Sequence, residues 1–166
     1  MPDSQPDPAF FRKTMGLFTT GIAVLATTTR DGEVVGMTAN SIVSVSLDPM
    51  LLLIGVEKIA HIAPTLQEAD GFSFNFLGAQ QANLSDYFAG RLLPEGPPDF
   101  EYTAWTGGPL LTGCIAAIGC RRHSILEGGD HWIVIGEVQA LFRPENPEPP
   151  LIFFGSRYHT LSADMP

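Results

Sequence analysis

Gly36-Met37-Thr38-Ala39-Asn40-Ser41-Ile42-Val43-Ser44-Val45-Ser46-Leu47-Asp48-Pro49 is the densest polar segment of the chain, and it runs directly into the apolar stretch Met50 to Val56. Small hydroxyl and amide side chains set between strands can hydrogen-bond a phosphate or the edge of a planar ring, and Gly36 lets a ligand approach the backbone. The same residues can instead face solvent or satisfy nearby backbone groups, so composition alone leaves both readings open. The segment also holds a strand-like run, Ile42 to Leu47, and a second one, Leu51 to Val56, follows it.

Working outward, Thr19 to Thr29 is rich in Thr, Val, Ile and Leu. Arg30-Asp31-Gly32-Glu33 supplies a hairpin turn, and Val34 to Thr38 then returns antiparallel. Further strands are predicted over Phe72 to Leu77, Leu111 to Arg121, His131 to Phe142 and Leu151 to Phe154. Helices are predicted over Ile62 to Ala69 and over Gln80 to Phe88, with Gly90 as a stop. Asp7 and Pro8 read as the N-cap and first residue of a short helix whose face Phe10, Phe11, Met15 and Phe18 packs on the barrel. Leu93 to Asp99 and Pro144 to Pro150 read as surface loops. Strands dominate, so the expected fold is mainly β: an antiparallel barrel with a few flanking helices, one domain over residues 1–166 with 1–8 as an N-terminal tail.

Charge restricts the function. The chain carries nine Lys and Arg against a net charge of −9, leaving no basic stripe for a nucleic acid. Charged residues make up only 16% of the sequence, too few to cover a monomer comfortably, which predicts apolar surface buried in an oligomer. No run approaches the ~18 apolar residues of a membrane span, and the N-terminus lacks an export signal's basic and apolar regions, so the cytoplasm is the expected location.

Several chemistries have no signature here. There is no G-x-G-x-x-G after a strand, no P-loop, no H-E-x-x-H and no G-x-S-x-G elbow. His61, His123, His131 and His159 are too scattered for a zinc site. Cys114 and Cys120 read as buried thiols of one strand, roughly 20 Å apart at about 3.3 Å per residue, and so unable to bridge.

The order of the pieces carries more than any one of them. Phe11-Arg12-Lys13-Thr14-Met15-Gly16, Thr20-Gly21-Ile22-Ala23-Val24-Leu25 and the Gly36 to Pro49 block come first. Phe74-Asn75-Phe76-Leu77, Gln80-Gln81, Leu84-Ser85-Asp86-Tyr87-Phe88-Ala89 and Gly108-Pro109-Leu110-Leu111 follow. Gly129-Asp130-His131, Gly136-Glu137-Val138 and Leu151-Ile152-Phe153-Phe154 leading to Tyr158 complete the series. In this collinear arrangement the sequence resembles the flavin reductase-like, FMN-binding split-barrel family, including the reductase components of two-component monooxygenases.

That resemblance implies a split β-barrel of Greek-key type and an NAD(P)H:flavin oxidoreductase with FMN or FAD as cofactor and NADH or NADPH as hydride donor. It implies that Met37, Thr38, Ala39, Asn40, Ser41, Ser44, Val45 and Ser46 line the flavin. Glu57-Lys58-Ile59-Ala60-His61 falls where the family meets the phosphate end, making Lys58, Ala60 and His61 candidates there; Lys58 reads equally as an exposed turn lysine. Relatives often carry Ser or Thr where Ala60 and its neighbours stand, which leaves FMN against FAD open. His131 matches the histidine set against the nicotinamide, with Tyr158 as a neighbour. No residue is expected to act as nucleophile, because hydride transfer asks for positioning. The resemblance further implies a homodimer and a monooxygenase that receives reduced flavin. Two other readings fit the same barrel: a flavin carrier or chromophore protein that never meets NADH, and a split barrel acting on pyridoxine phosphate.

Overall fold

The computed structural model describes residues 6–161. Helix α1 (Pro8–Met15) is followed by strands β1 (Thr20–Gly21), β2 (Ala23–Thr28), β3 (Val34–Ala39), β4 (Ile42–Leu47) and β5 (Met50–Glu57). Then come α2 (Ala63–Glu68), β6 (Gly71–Phe76), α3 (Ala82–Phe88), β7 (Tyr102–Thr103) and β8 (Leu110–Leu111). The chain ends with β9 (Ala116–Gly128), β10 (His131–Phe142), β11 (Ile152–Phe154) and β12 (Arg157–His159). The architecture is mainly β with few helices, and every strand pairing among the described residues is antiparallel.

One seven-stranded sheet, in the order β3-β2-β6-β9-β10-β5-β4, forms the body. Its two outer strands are consecutive in the chain, linked only by Asn40 and Ser41, so the sheet coils until its edges meet at that corner and splay apart beyond it. The inward side chains explain the coiling. Leu25, Ile54, Val56, Phe72, Phe74, Cys120 and Val134 are buried together, with Phe72 and Phe74 in an edge-to-face contact at 5.5 Å. A second cluster lies on the outer face of β2, where Val24, Ala26, Leu77, Leu84, Leu111 and Leu151 pack under α3 and β8. Truncating a buried phenylalanine such as Phe74 costs about 3–5 kcal/mol, because the void cannot collapse fully.

Several expectations are corrected. The predicted strand over 19–29 breaks at buried Ile22: β1 leaves the main sheet to pair with β11, while β2 lies between β3 and β6. The strand predicted over 111–121 is likewise two pieces, separated at Gly113, whose φ of 79° turns the chain. Cys114 sits in that turn and only Cys120 is in β9, so the cysteines do not share a strand; both are free and buried. Strand β9 then continues to Gly128 because its polar second half pairs with the start of β10 in a hairpin closed at Gly129, φ 71°.

Asp7 caps α1 as expected, its carboxylate accepting from the N–H groups of Ala9 and Phe10 at 2.9 and 3.0 Å. Asp7 and Pro8 thus start a helix rather than finish a tail; residues 1–5 lie outside the described residues. The helix does not pack on the barrel: no residue of α1 is buried, and Phe10, Phe11, Met15 and Phe18 are all half or more exposed. The reason is its position. It is tethered to the rest of the chain at its C-terminal end, where Gly155 N–H donates to Gly16 C=O at 2.8 Å.

Candidate active site

Where β3 parts from the far edge of the sheet, an open cleft of 780 Å³ forms. One wall is β3 and its corner, from Val34 through Gly36, Met37, Thr38, Ala39 and Asn40 to Ser41. The facing wall is Gly55 and Glu57 at the end of β5 with His131 at the start of β10, which are neighbours because His131 pairs with Glu57. Ala60 and His61 close one end. Tyr87, Phe88, Phe100 and Tyr102 form an aromatic wall at the other, with ring centroids 5.1 to 6.4 Å apart.

The side-chain donors of the β3 wall are largely used within the protein. Thr38 Oγ1 donates to Ser85 C=O at 2.6 Å, tying β3 to α3, and Ser41 Oγ donates to Gly55 C=O at 3.1 Å, bridging the cleft's two walls. Asn40 Nδ2 donates one hydrogen to Thr20 Oγ1 at 3.2 Å, leaving its second N–H and its carbonyl free. The wall's remaining capacity is its backbone: β3 is an edge strand paired only with β2, so alternate residues turn N–H and C=O groups away from the sheet. Gly36 does not open the backbone to a ligand as expected. A Cβ there would meet the Phe88 ring at 2.9 Å, so it is Phe88 that needs the missing side chain. At Gly55 the space is different: a Cβ would meet only Ser41 Oγ at 3.6 Å and His131 Cδ2 at 3.7 Å.

His131 is oriented by its neighbour. Its Nδ1 lies 2.7 Å from Asp130 Oδ1, which fixes the tautomer with Nδ1–H donating and leaves Nε2, beside the Cδ2 edge that borders Gly55, as the free ring nitrogen. The hydrogen bond from His131, and then the charge of that ring, hold the Asp130 carboxyl below its ordinary range. Across the cleft, burial, and then the nearby Tyr87, push the Tyr102 phenol well above its ordinary pKa; its hydroxyl is buried without a hydrogen-bond partner among the described residues. Burial alone raises Cys120 to about 12, and Cys114 is raised to about 11, so neither thiol is poised as a nucleophile.

The family model of the flavin reductase like domain matches residues 15–162. The chain belongs to the flavin reductase-like family. It is 38% identical over 154 residues to an NADH-dependent flavin reductase of Pseudomonas fluorescens, covering 92% of this chain and 89% of that one. It is 33% identical over 162 residues to the reductase subunit of a flavin-dependent monooxygenase of Rhodococcus jostii, covering 95% and 80%. Among solved structures, the flavin reductase PheA2 superposes with a TM-score of 0.88 at 37% identity, covering 95% of this chain and 99% of that one. The NADH:FAD oxidoreductase of Streptomyces globisporus, in complex with NAD and FAD fragments, superposes with a TM-score of 0.85 at 34% identity, covering 97% and 98%.

In this flavin reductase-like chain the cleft gathers eight of the residues expected from the resemblance: Met37, Thr38, Ala39, Asn40, Ser41, Ala60, His61 and His131. Ser44, Val45 and Ser46 are placed elsewhere, on β4 beyond the corner, with Ser44 and Val45 exposed and Ser46 Oγ accepting from Asp48 N–H at 3.3 Å. Lys58 also lies outside the cleft. It sits in the turn after β5, where its N–H donates to Asp130 C=O at 2.9 Å, its ammonium pairs with Glu127 at 3.1 Å and it lies 4.7 Å from the Trp132 ring centroid. Tyr158 is a structural tie: its hydroxyl donates to Asp86 Oδ1 at 2.6 Å and lies 3.0 Å from Ser85 Oγ, fastening β12 to α3. Gly55, Glu57 and the four aromatic residues are additions that sequence reasoning missed. Among the described residues, the cleft lining includes no lysine or arginine and one carboxylate, Glu57.

Proposed function

We propose that the protein is an NADH-using flavin reductase that takes FMN or FAD into the cleft between β3 and the β5–β10 edge. The observation that carries the reading is the β3 wall facing His131 across Gly55, an uncharged hydrogen-bonding edge opposite an oriented imidazole, in a chain of the flavin reductase-like family. The fit to a flavin rests on two features. The missing side chain at Gly55 leaves room for a flat ring between Ser41 and His131, and the edge strand offers both donors and acceptors, as the pyrimidine edge of a flavin requires.

Bound flavin supplies its own hydride acceptor, so what remains for the chain is alignment of two rings and exclusion of water. The Ser41–Gly55 bridge fixes the width of the cleft where those rings would stack. Asp130 holds His131 so that Nε2 accepts a hydrogen bond, the group a nicotinamide carboxamide N–H₂ can donate to. Phosphate would meet backbone and His61 rather than a cation at the Ala60–His61 end, beside Glu57. Flavin is therefore held weakly and exchanges as a substrate, which suits a reductase that hands reduced flavin to a monooxygenase, the pairing named for its Rhodococcus jostii relative.

We further read the protein as a single-domain homodimer working in the cytoplasm, where NADH is supplied. The exposed apolar face of α1, with Phe11 at 66% exposure, and Phe18 just beyond the helix at 68%, support the dimer, since an eight-residue helix is marginal in water without something to pack against. Anaerobic mixing of the purified protein with NADH and FMN, and separately FAD, should bleach the visible flavin band in proportion to NADH consumed. Flavin that binds yet stays oxidised with both NADH and NADPH would favour the carrier reading instead.

A further inference from the structure

The aromatic end of the cleft does not stand on the main sheet. Phe100 precedes β7 and Tyr102 lies in it, and β7 pairs only with β8, Tyr102 opposite Leu111. β8 in turn ends a strap, residues 106–111, that crosses β6 and β9 in direct backbone contact. A Cβ on Gly108 would meet Ser73 N at 2.5 Å and Phe72 C at 2.6 Å, and one on Gly107 or Gly119 would run into the facing backbone. The strap lies this close because those positions are glycine.

Two fully buried polar side chains of β6 hold it there. Ser73 Oγ donates to Pro109 C=O. Asn75 Nδ2 donates to the same carbonyl at 3.3 Å and to Val24 C=O at 3.3 Å, and Asn75 Oδ1 accepts from Leu111 N–H at 2.8 Å. Val24 pairs with Thr38, so one amide side chain connects the β3 wall of the cleft, through β2, to the strand partner of Tyr102. A fully satisfied buried polar network of this kind admits one arrangement of the parts it joins. A core that needed only stability would be served as well by apolar residues at 73 and 75.

We infer that Ser73 and Asn75 are positioning residues for the cleft: by locking the strap they set the aromatic wall of Phe100 and Tyr102 at the distance from β3 that flavin requires. The inference rests on the reading of the cleft as the flavin site. It assigns a role in affinity rather than in the hydride step.

The dissociation constants of FMN and FAD would be measured, with kcat and KM, for the protein and for Ser73→Ala, Gly108→Ala, Phe100→Leu, Ser73→Ala with Phe100→Leu, and Val134→Ala. Ser73→Ala leaves Pro109 C=O with its Asn75 partner, so the fold is kept even if Gly108→Ala fails to fold. Ser73→Ala should weaken flavin binding about threefold or more with kcat at saturation unchanged, and that loss should shrink when Phe100 is already Leu, as expected of residues acting as one unit. Val134→Ala, which opens the core away from the strap, should lower the melting temperature at least as far while leaving flavin affinity within about twofold. Equal losses with and without Phe100, unchanged affinity in Ser73→Ala, or a matching loss in Val134→Ala would each overturn the inference. Unchanged affinity in Phe100→Leu would overturn it while leaving the reductase reading intact, whereas a protein that binds neither flavin sinks both.

Discussion

His131 and Asp130 form the smallest unit on which the account depends. The imidazole borders the cleft, and the carboxylate beside it decides which nitrogen is free. If His131 accepts from the nicotinamide as proposed, replacing it with Ala removes one hydrogen bond worth about 1 kcal/mol and should raise the KM for NADH roughly fivefold while flavin affinity is unchanged. Asp130→Asn should act in the same direction, because an amide can hold the opposite tautomer. The pH dependence follows from the lowered Asp130 pKa: the pairing is present above the ordinary carboxylate range and is lost as pH falls through the depressed value. Steady-state KM should therefore show no Asp130-dependent rise between about pH 8 and pH 5, the loss setting in only below the ordinary carboxylate range; a rise in that window that is missing in Asp130→Asn would contradict the depressed pKa.

At the scale of elements, the link between β3 and α3 matters most, since it places Phe88 over Gly36 and carries the aromatic wall with it. Thr38→Val removes the hydroxyl bonded to Ser85 C=O. It should cost about 1 kcal/mol and lower Tm by roughly 2–4 °C in thermal unfolding. A larger fall in flavin affinity than in stability would follow from α3 drifting off β3. These elements also mark what the sequence could reveal. The 42–47 strand, the 62–69 and 80–88 helices and the hairpin at Arg30 to Glu33 were legible because period and turn residues agreed. The second half of β9 was not, because its polar residues are supported by pairing with β10 rather than by burial. Lys58 and Tyr158 were assigned to the site by resemblance, and their partners Glu127 and Asp86 are 69 and 72 residues distant in sequence, beyond any local pattern. Gly55 and Phe88 became site residues only once β5 and α3 were folded against β3.

For the whole molecule, the exposed faces of α1 and β4 are the conspicuous feature. Leu47 is 85% exposed and Val43 and Val45 are about half exposed on β4, whose outer edge is unpaired among the described residues, and Met50, opposite Leu47 at the start of β5, is also about half exposed. Sedimentation at micromolar concentration should give a dimer, and Phe11→Glu combined with Phe18→Glu should shift it to monomer; a monomeric parent protein would contradict this. No described helix is long and apolar enough to cross a membrane. The central claim is that the cleft beside Gly55 is where flavin meets NADH, and the most direct measurement is flavin binding and anaerobic flavin reduction in Gly55→Leu. A Cβ is accommodated there, so the barrel should keep its thermal stability while the added side chain fills the space between Ser41 and His131. The account predicts loss of both flavin binding and NADH oxidation in a folded protein; a folded Gly55→Leu that binds and reduces flavin as the parent does would contradict it.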